Sequence, residues 1–301
     1  MKQNKNMKKT KEEKTPKQKS IEFIKNLLFA LVAALLIKSF LIETSRVPTG
    51  SMETTIKVGD FLFVNKFIYG SSSPRNIPFT NIALPYFQLP AISDPDKGDI
   101  VVFEYPGDRD QLVPTEISNY VKRCIATPGD TIEIKNKVVF INGVEGPIPS
   151  HIQYLDPRVA PSGVADYGIF PKGAQWNKDN YGPYIIPKAG DVIDLDMSNI
   201  EWWRTIIDRE HNDRVVNVKN GKILINEVEV NSYTIQKDYF FMMGDNRDDS
   251  ADSRYWGLVA RDRVVGEALM IYWSWDPSIS FSSIFKLLGT VRVNRIAKIV
   301  R

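Results

Sequence analysis

The chain has 301 residues, room for an N-terminal anchoring segment and one or two folded domains. Charged residues at 25% and hydrophobic residues at 43% exclude disorder as its main character. A net charge of +3 hides a strongly basic start, and the single cysteine, Cys124, excludes an internal disulfide and a cysteine-rich zinc site.

Residues 1–20 hold eight lysines against Glu12 and Glu13, with no large hydrophobic side chain after Met7. Such a tail is too polar to bury. It does not read as a nucleic-acid arm, because no aromatic residue interleaves with the lysines and no binding motif follows. A hydrophobic run follows instead, Ile21 to Ile42, with an uninterrupted apolar core from Leu27 to Ile37 between Lys25 and Lys38. About twenty helical residues at ~1.5 Å each span a bilayer, and terminal lysine stems reach its interface. Glu43-Thr44-Ser45-Arg46 supplies no small-x-small cleavage site, and the run has no polar stripe. The sequence predicts an uncleaved transmembrane signal-anchor helix over 21–43, with the tail cytoplasmic by the positive-inside rule.

Directly after it stands Val47-Pro48-Thr49-Gly50-Ser51-Met52. Alone, this is turn chemistry. Held just outside a bilayer, it also presents Ser51 as an exposed nucleophile.

Downstream, Gly-Asp turns introduce short β-rich runs at Gly59-Asp60, Gly98-Asp99, Gly129-Asp130 and Gly190-Asp191. Ser71 to Pro95 reads as an extended loop whose Phe79, Tyr86 and Phe87 form an apolar side resting on the membrane. Lys137 to Gly143 and Lys222 to Glu227 resemble each other as hairpin arms, and Asn142-Gly143 is a strong hairpin turn. No long amphipathic helix is evident, so the body is mostly β. Residues 281–301 suit a final strand or interfacial segment better than a second anchor. The domains are a tail (1–20), the anchor (21–43), a core (44–135 and 236–301) and an inserted β-rich subdomain (136–235).

His151 and His211 are the only histidines and both fall in the insertion, which leaves a Ser-His-Asp triad little to draw on. A base for Ser51 must come from another residue type. Tyr120-Val121-Lys122-Arg123-Cys124-Ile125-Ala126 alternates like a strand and stops at Thr127-Pro128-Gly129-Asp130. A strand lysine is ordinarily a solvated charge; it becomes a general base when burial depresses its pKa. The polar stretch Gly244 to Gly257 invites a calcium reading, but Ser250 and Trp256 stand where an EF-hand loop needs Gly and Glu. It fits a hydrogen-bonded loop that orients side chains beside a site.

Val47 to Met52, Lys97-Gly98-Asp99-Ile100-Val101-Val102-Phe103, Tyr120 to Asp130 and Gly244 to Gly257, in this order behind an anchor, resemble the boxes of bacterial type I signal peptidases. The resemblance covers about residues 20–135 and 240 to the end, and 136–235 matches only as a variable insertion of Gram-negative-type length. It implies a mostly β fold: an N-terminal transmembrane helix, a signal-peptidase-like catalytic core and an inserted β-rich subdomain. It implies a serine endopeptidase that cleaves signal peptides from exported preproteins through an acyl-enzyme. Ser51 would be nucleophile and Lys122 general base. The Ser51 N–H and Thr49 hydroxyl would form the oxyanion hole, and Ser250 would orient the lysine amine. Asp252, Arg254 and Asp245 would brace the site; Val47, Pro48 and Val121 would line shallow pockets for small residues. The resemblance implies a monomer at the bacterial cytoplasmic membrane, with its body on the far side. Its partners would be preproteins and lipid, without nucleic acid, metal or cofactor.

Three residues depart from the family pattern. Thr49 replaces a common serine, Asp249 stands where Asn is common and is expected to point away from Lys122, and Ala126 replaces a glycine, which asks for an ordinary backbone angle. A self-cleaving Ser/Lys repressor-type protein shares the core, but the anchor and the lack of an N-terminal DNA-binding helix pair weigh against it. A silent binding protein on the same fold would be marked by loss of Ser51 or Lys122, and both are present.

Overall fold

The structure, a computed structural model, describes residues 15–71, 87, 89–116, 118–146, 149 and 151–301. In chain order the first part holds α1 (Pro16–Phe40), β1 (Ile42–Arg46), β2 (Asp60–Asn65), β3 (Ile100–Glu104) and β4 (Asn119–Ala126). Residues 131–234 hold β5 (Thr131–Lys135), β6 (Val138–Ile141), β7 (Val144–Glu145), β8 (Tyr181–Ile185), β9 (Val192–Asp194), α2 (Ile200–His211), β10 (Val216–Lys219), β11 (Lys222–Ile225), β12 (Val228–Glu229) and β13 (Ser232–Thr234). The chain ends with β14 (Tyr239–Met243), α3 (Ser253–Trp256), β15 (Val259–Ala260), β16 (Val264–Ser274), α4 (Ile284–Leu288) and β17 (Lys298–Ile299).

The mostly β reading holds. The main sheet runs β1-β2-β16-β3-β4-β14-β15, every neighbouring pair antiparallel, and β17 adds to β16. The eleven-residue β16 pairs with β3 through its first half and with β2 through its second, with register shifts in both ladders. Such bulges increase local twist, and the sheet curls. The curl encloses Met52, Ile56, Leu62, Val64, Ile100, Val102 and Ile271 in one apolar cluster. Phe103, Cys124, Phe240, Met242 and Trp256 share a second. The Ser51 turn thus rests on packed side chains.

The four Gly-Asp turns share one geometry. Asp60, Asp99, Asp130 and Asp191 each accept the N–H of the residue three before it, at 2.8–2.9 Å. The glycine between them has φ of +89 to +99° in every case. An L side chain resists that region, so each turn ends one run and launches the next.

The look-alike segments are the middle strands of two three-stranded meanders, β5-β6-β7 and β10-β11-β12. Both are bounded by left-handed pairs, Asn136-Lys137 and Asn142-Gly143 in the first, Asn220-Gly221 and Asn226-Glu227 in the second. The shared pattern records the same twist-matched hairpin turns.

Several expectations are corrected. β5 pairs with β6 and β8, not with the main sheet, so the sheet changes at Thr127–Asp130, ahead of residue 136. The insertion contains an amphipathic helix, α2, which buries Ile200, Ile206 and Ile207. Ile206 and Trp202 serve one apolar cluster, Ile200 and Ile207 another, and Trp203 packs against both, which spreads the apolar residues beyond one narrow stripe and hides the period. The helix expected over 21–43 lies over Pro16–Phe40, opened by a Thr15–Gln18 capping box, and Ile42 already pairs in β1. Among the described residues no helix is long and apolar enough to cross a membrane. The physical reason is the short apolar core: Leu27 to Ile37 rises ~16 Å against a hydrocarbon layer of about 30 Å. Most of the Ser71–Pro95 loop, with Phe79 and Tyr86, lies outside the described residues. The final-strand reading of the C-terminus holds, since Lys298 and Ile299 pair with Ile271 and Met270.

Candidate active site

β4 and the turn after β1 bring together the two residues that the sequence singled out. Lys122 Nζ lies 2.6 Å from Ser51 Oγ and donates to it, with Val121 O a second acceptor at 3.3 Å. The pair is withdrawn from solvent, Lys122 being 3% and Ser51 8% exposed. Burial pushes the amine down from its ordinary value to about 8, while the negative charges of Asp252 and Asp245 offset part of that effect. A large fraction of Lys122 is therefore neutral at mildly alkaline pH and can accept a proton from Ser51.

A cleft of about 250 Å³ opens onto this pair. Val47, Pro48, Thr49 and Val121 line it, as do Ser51 and Lys122. Val47 is fixed by the backbone, donating to Asp60 O and accepting from Gly59 N, both at 3.0 Å. Thr49 is exposed at the rim. Among the described residues the Ser51 N–H donates no hydrogen bond, which leaves it available to a ligand oxygen. Neither histidine lines the cleft.

The Gly244–Gly257 loop closes over the Ser51 turn from behind. Asn246 N donates to Ser51 O at 3.0 Å, and Asn246 Nδ2 to Gly50 O at 3.1 Å. Gly244 has no room for a side chain: a Cβ would lie 2.4 Å from Ser51 O and 2.3 Å from Ser250 Oγ. Asp252 receives Arg254 Nε at 2.9 Å, Arg254 Nη2 at 2.8 Å and the Gly244 N–H at 3.2 Å. Burial opposes its charge, but Arg254 and these hydrogen bonds together hold its carboxyl below the usual range. Asp245 accepts Arg123 Nε at 2.9 Å, Arg123 Nη2 at 2.7 Å and the Thr55 hydroxyl at 2.6 Å. These buried pairs are hydrogen-bonded on both sides, the condition under which buried charge is tolerated. Ser250 is buried against Gly244, yet no hydrogen bond joins it to the Lys122 amine.

The sequence pattern of the family described as signal peptidase, peptidase S26, matches residues 20–273. The chain belongs to this family. It shares 30% identity with the signal peptidase I of Pseudomonas aeruginosa, covering 90% of this chain and 79% of that one. The signal peptidase I of Rickettsia typhi is also 30% identical, across 96% of both chains. A solved signal peptidase I from Enterococcus faecalis is 19% identical over 58% of this chain and 97% of that one, with a TM-score of 0.29, too slight a likeness to carry an argument. The chain is thus a signal peptidase I-type enzyme.

Arg123, Thr55 and Asn246 escaped the sequence reading, although all three lie inside the quoted boxes or next to them. The signal was there for Arg123: a buried strand that carries Lys and Arg in succession needs an acidic partner. The insertion's part was not legible. Gln153 N donates to Asp245 O and Gln153 O accepts Arg247 N, both at 3.0 Å. The Thr54 hydroxyl donates to His151 O, and Asp248 gathers Asp156 N at 2.9 Å and Lys178 Nζ at 2.5 Å. Lys178 and residues 151–156 therefore brace the loop that holds Ser51. Of the departures, Ala126 has an ordinary φ, and Asp249 is exposed at the cleft rim and is not among the charges that act on Lys122.

Proposed function

We propose that this enzyme cleaves signal peptides from exported preproteins with a Ser51/Lys122 dyad. The observation that carries the reading is the buried 2.6 Å contact between Nζ and Oγ. The neutral Lys122 amine takes the Ser51 proton as Oγ attacks the scissile carbonyl carbon. The resulting oxyanion is received by the Ser51 N–H and the Thr49 hydroxyl, donors that typically lower such a barrier by a few kcal/mol. The C–N bond then breaks, Lys122 returns the proton to the leaving amine, and the signal peptide remains as an ester on Ser51. Lys122 next deprotonates a water that attacks this ester and frees the serine. The Asp245–Arg123 and Asp252–Arg254 pairs hold the loop that positions Ser51, and Val47, Pro48 and Val121 wall pockets suited to small side chains.

Substrate reaches the cleft beside a bilayer in this reading. Phe23, Ile24, Leu27, Leu28, Phe29 and Leu31 of α1 are exposed, an arrangement that lipid accommodates and water does not. Lys25 and Lys38 can extend their ammonium groups toward the headgroups. α1 then seats the enzyme on the cytoplasmic membrane through this apolar surface, which makes encounter with a tethered preprotein nearly local. The test is cleavage of a preprotein with small residues before its cut site by wild type, Ser51→Ala and Lys122→Ala in detergent. Cleavage by wild type and its loss in both folded variants is the expected result. Undiminished activity in either variant removes that residue from its role.

A further inference from the structure

A cavity of about 410 Å³ lies between the end of α2 and the strands β3 and β15, and it shares no lining residue with the catalytic cleft. Arg209, Arg263 and Lys237 bring three positive charges to its wall, against Glu104 and Asp262. Lys237 is neutralised by Asp262 at 2.8 Å. The two arginines differ. Arg209 donates only to backbone carbonyls, those of Gln111 at 3.1 Å, Gly107 at 3.1 Å and Asp108 at 2.8 Å. Arg263 makes no hydrogen bond or ion pair among the described residues, and Asp262 is engaged by Lys237. Burial, joined by the charge of Arg263, pushes Arg209 down to about 10. Val113, Pro114 and Leu258 add apolar wall, which strengthens any charge interaction inside.

Arg209, faced by the charge of Asp108 but bonded only to backbone carbonyls, and Arg263, which has no ion pair among the described residues, share one concave surface, and their electrostatic demand is incompletely met. A carboxylate offers two oxygens, enough for one planar fork. A phosphoryl group offers three or more around a tetrahedral centre and can meet both forks. We propose that this cavity is a second ligand site, which takes a phosphate-class anion between Arg209 and Arg263. Its volume falls in the range of small-molecule sites and exceeds what a bare phosphate fills. The turn Arg261–Arg263 donates to Tyr69 O at 2.8 Å through Arg261, and two residues on the Ser71 hydroxyl donates to Phe40 O at the foot of α1. If α1 lies in lipid as proposed above, the site opens near the headgroup layer. The phosphate can then come from a phospholipid or from solution.

Arg263→Gln tests the site cleanly, because its side chain has no partner to lose among the described residues; Arg209 holds the 107–111 segment and is left intact. The full chain in neutral detergent is titrated calorimetrically with dihexanoyl phosphatidylglycerol and, separately, with inorganic phosphate. Saturable binding by wild type, weakened about tenfold or more in Arg263→Gln, is expected from the loss of charge-assisted hydrogen bonds. Preproteins should be cleaved at an unchanged rate in detergent, so failure of the dyad reading would leave this result standing. Tighter binding of the lipid than of phosphate, with the same dependence on Arg263, assigns the site to a headgroup. Equal binding assigns it to free phosphate. Absence of saturable binding, or equal affinities in wild type and variant, overturns the proposal.

Discussion

The pH dependence of cleavage is the sharpest consequence of a buried lysine base. Burial holds Lys122 at about 8 instead of its ordinary 10.5, a penalty on the charged form of roughly 3 kcal/mol by the usual conversion. General-base catalysis needs the neutral amine, so activity rises with pH. At pH 7 about a tenth of the amine is neutral and at pH 9 about nine-tenths, which predicts a rise of about tenfold and a plateau above it. A solvated lysine would instead give about a hundredfold rise over the same interval with no plateau below pH 10. The assay is kcat/KM for a preprotein from pH 6 to 10, which reports the free enzyme. A limb with its midpoint at 10 or above, or a flat profile, would refute the buried-base argument. The same shift has a stability sign: the folded pKa lies below the unfolded one, so the unfolded chain binds more protons between about 8 and 10.5. Stability contributed by this group is lowest below pH 8 and recovers as pH rises through that window.

Gly244→Ala should inactivate the enzyme out of proportion to its effect on stability. The new Cβ would meet Ser51 O at 2.4 Å, so relief must move the nucleophile's own backbone. Overpacking of this kind costs ~1–3 kcal/mol in denaturant melts, while kcat should fall far more; a variant with near-wild-type kcat would show that the turn has freedom the structure denies it. Thr49→Val keeps the shape of the side chain and removes its hydroxyl, so kcat should drop by about 10²–10³ with KM little changed. Thr49→Ser should restore most of it, and equal rates in Thr49→Val and wild type would take Thr49 out of the oxyanion hole.

The sequence alone determined what depends on local backbone chemistry and on patterns within one stretch. The Gly-Asp turns were legible because glycine's positive φ and the aspartate's hydrogen bond are properties of four consecutive residues. The two look-alike hairpin arms could be read for the same reason, and so could the basic start with its apolar run. Ser51 and Lys122 stood out through motif order and the shortage of histidine. Only the tertiary structure decided the rest. Whether a strand lysine is a solvated cation or a base depends on burial by residues far away in sequence, and Lys122 is separated from Ser51 by 71 positions. The partner of Arg123 lies 122 residues on, at Asp245. The clamp from Gln153 comes from a subdomain whose sequence carries no motif. Periodicity reports which face a residue shows, never which distant side chain meets it there, and electrostatic function is set by those meetings.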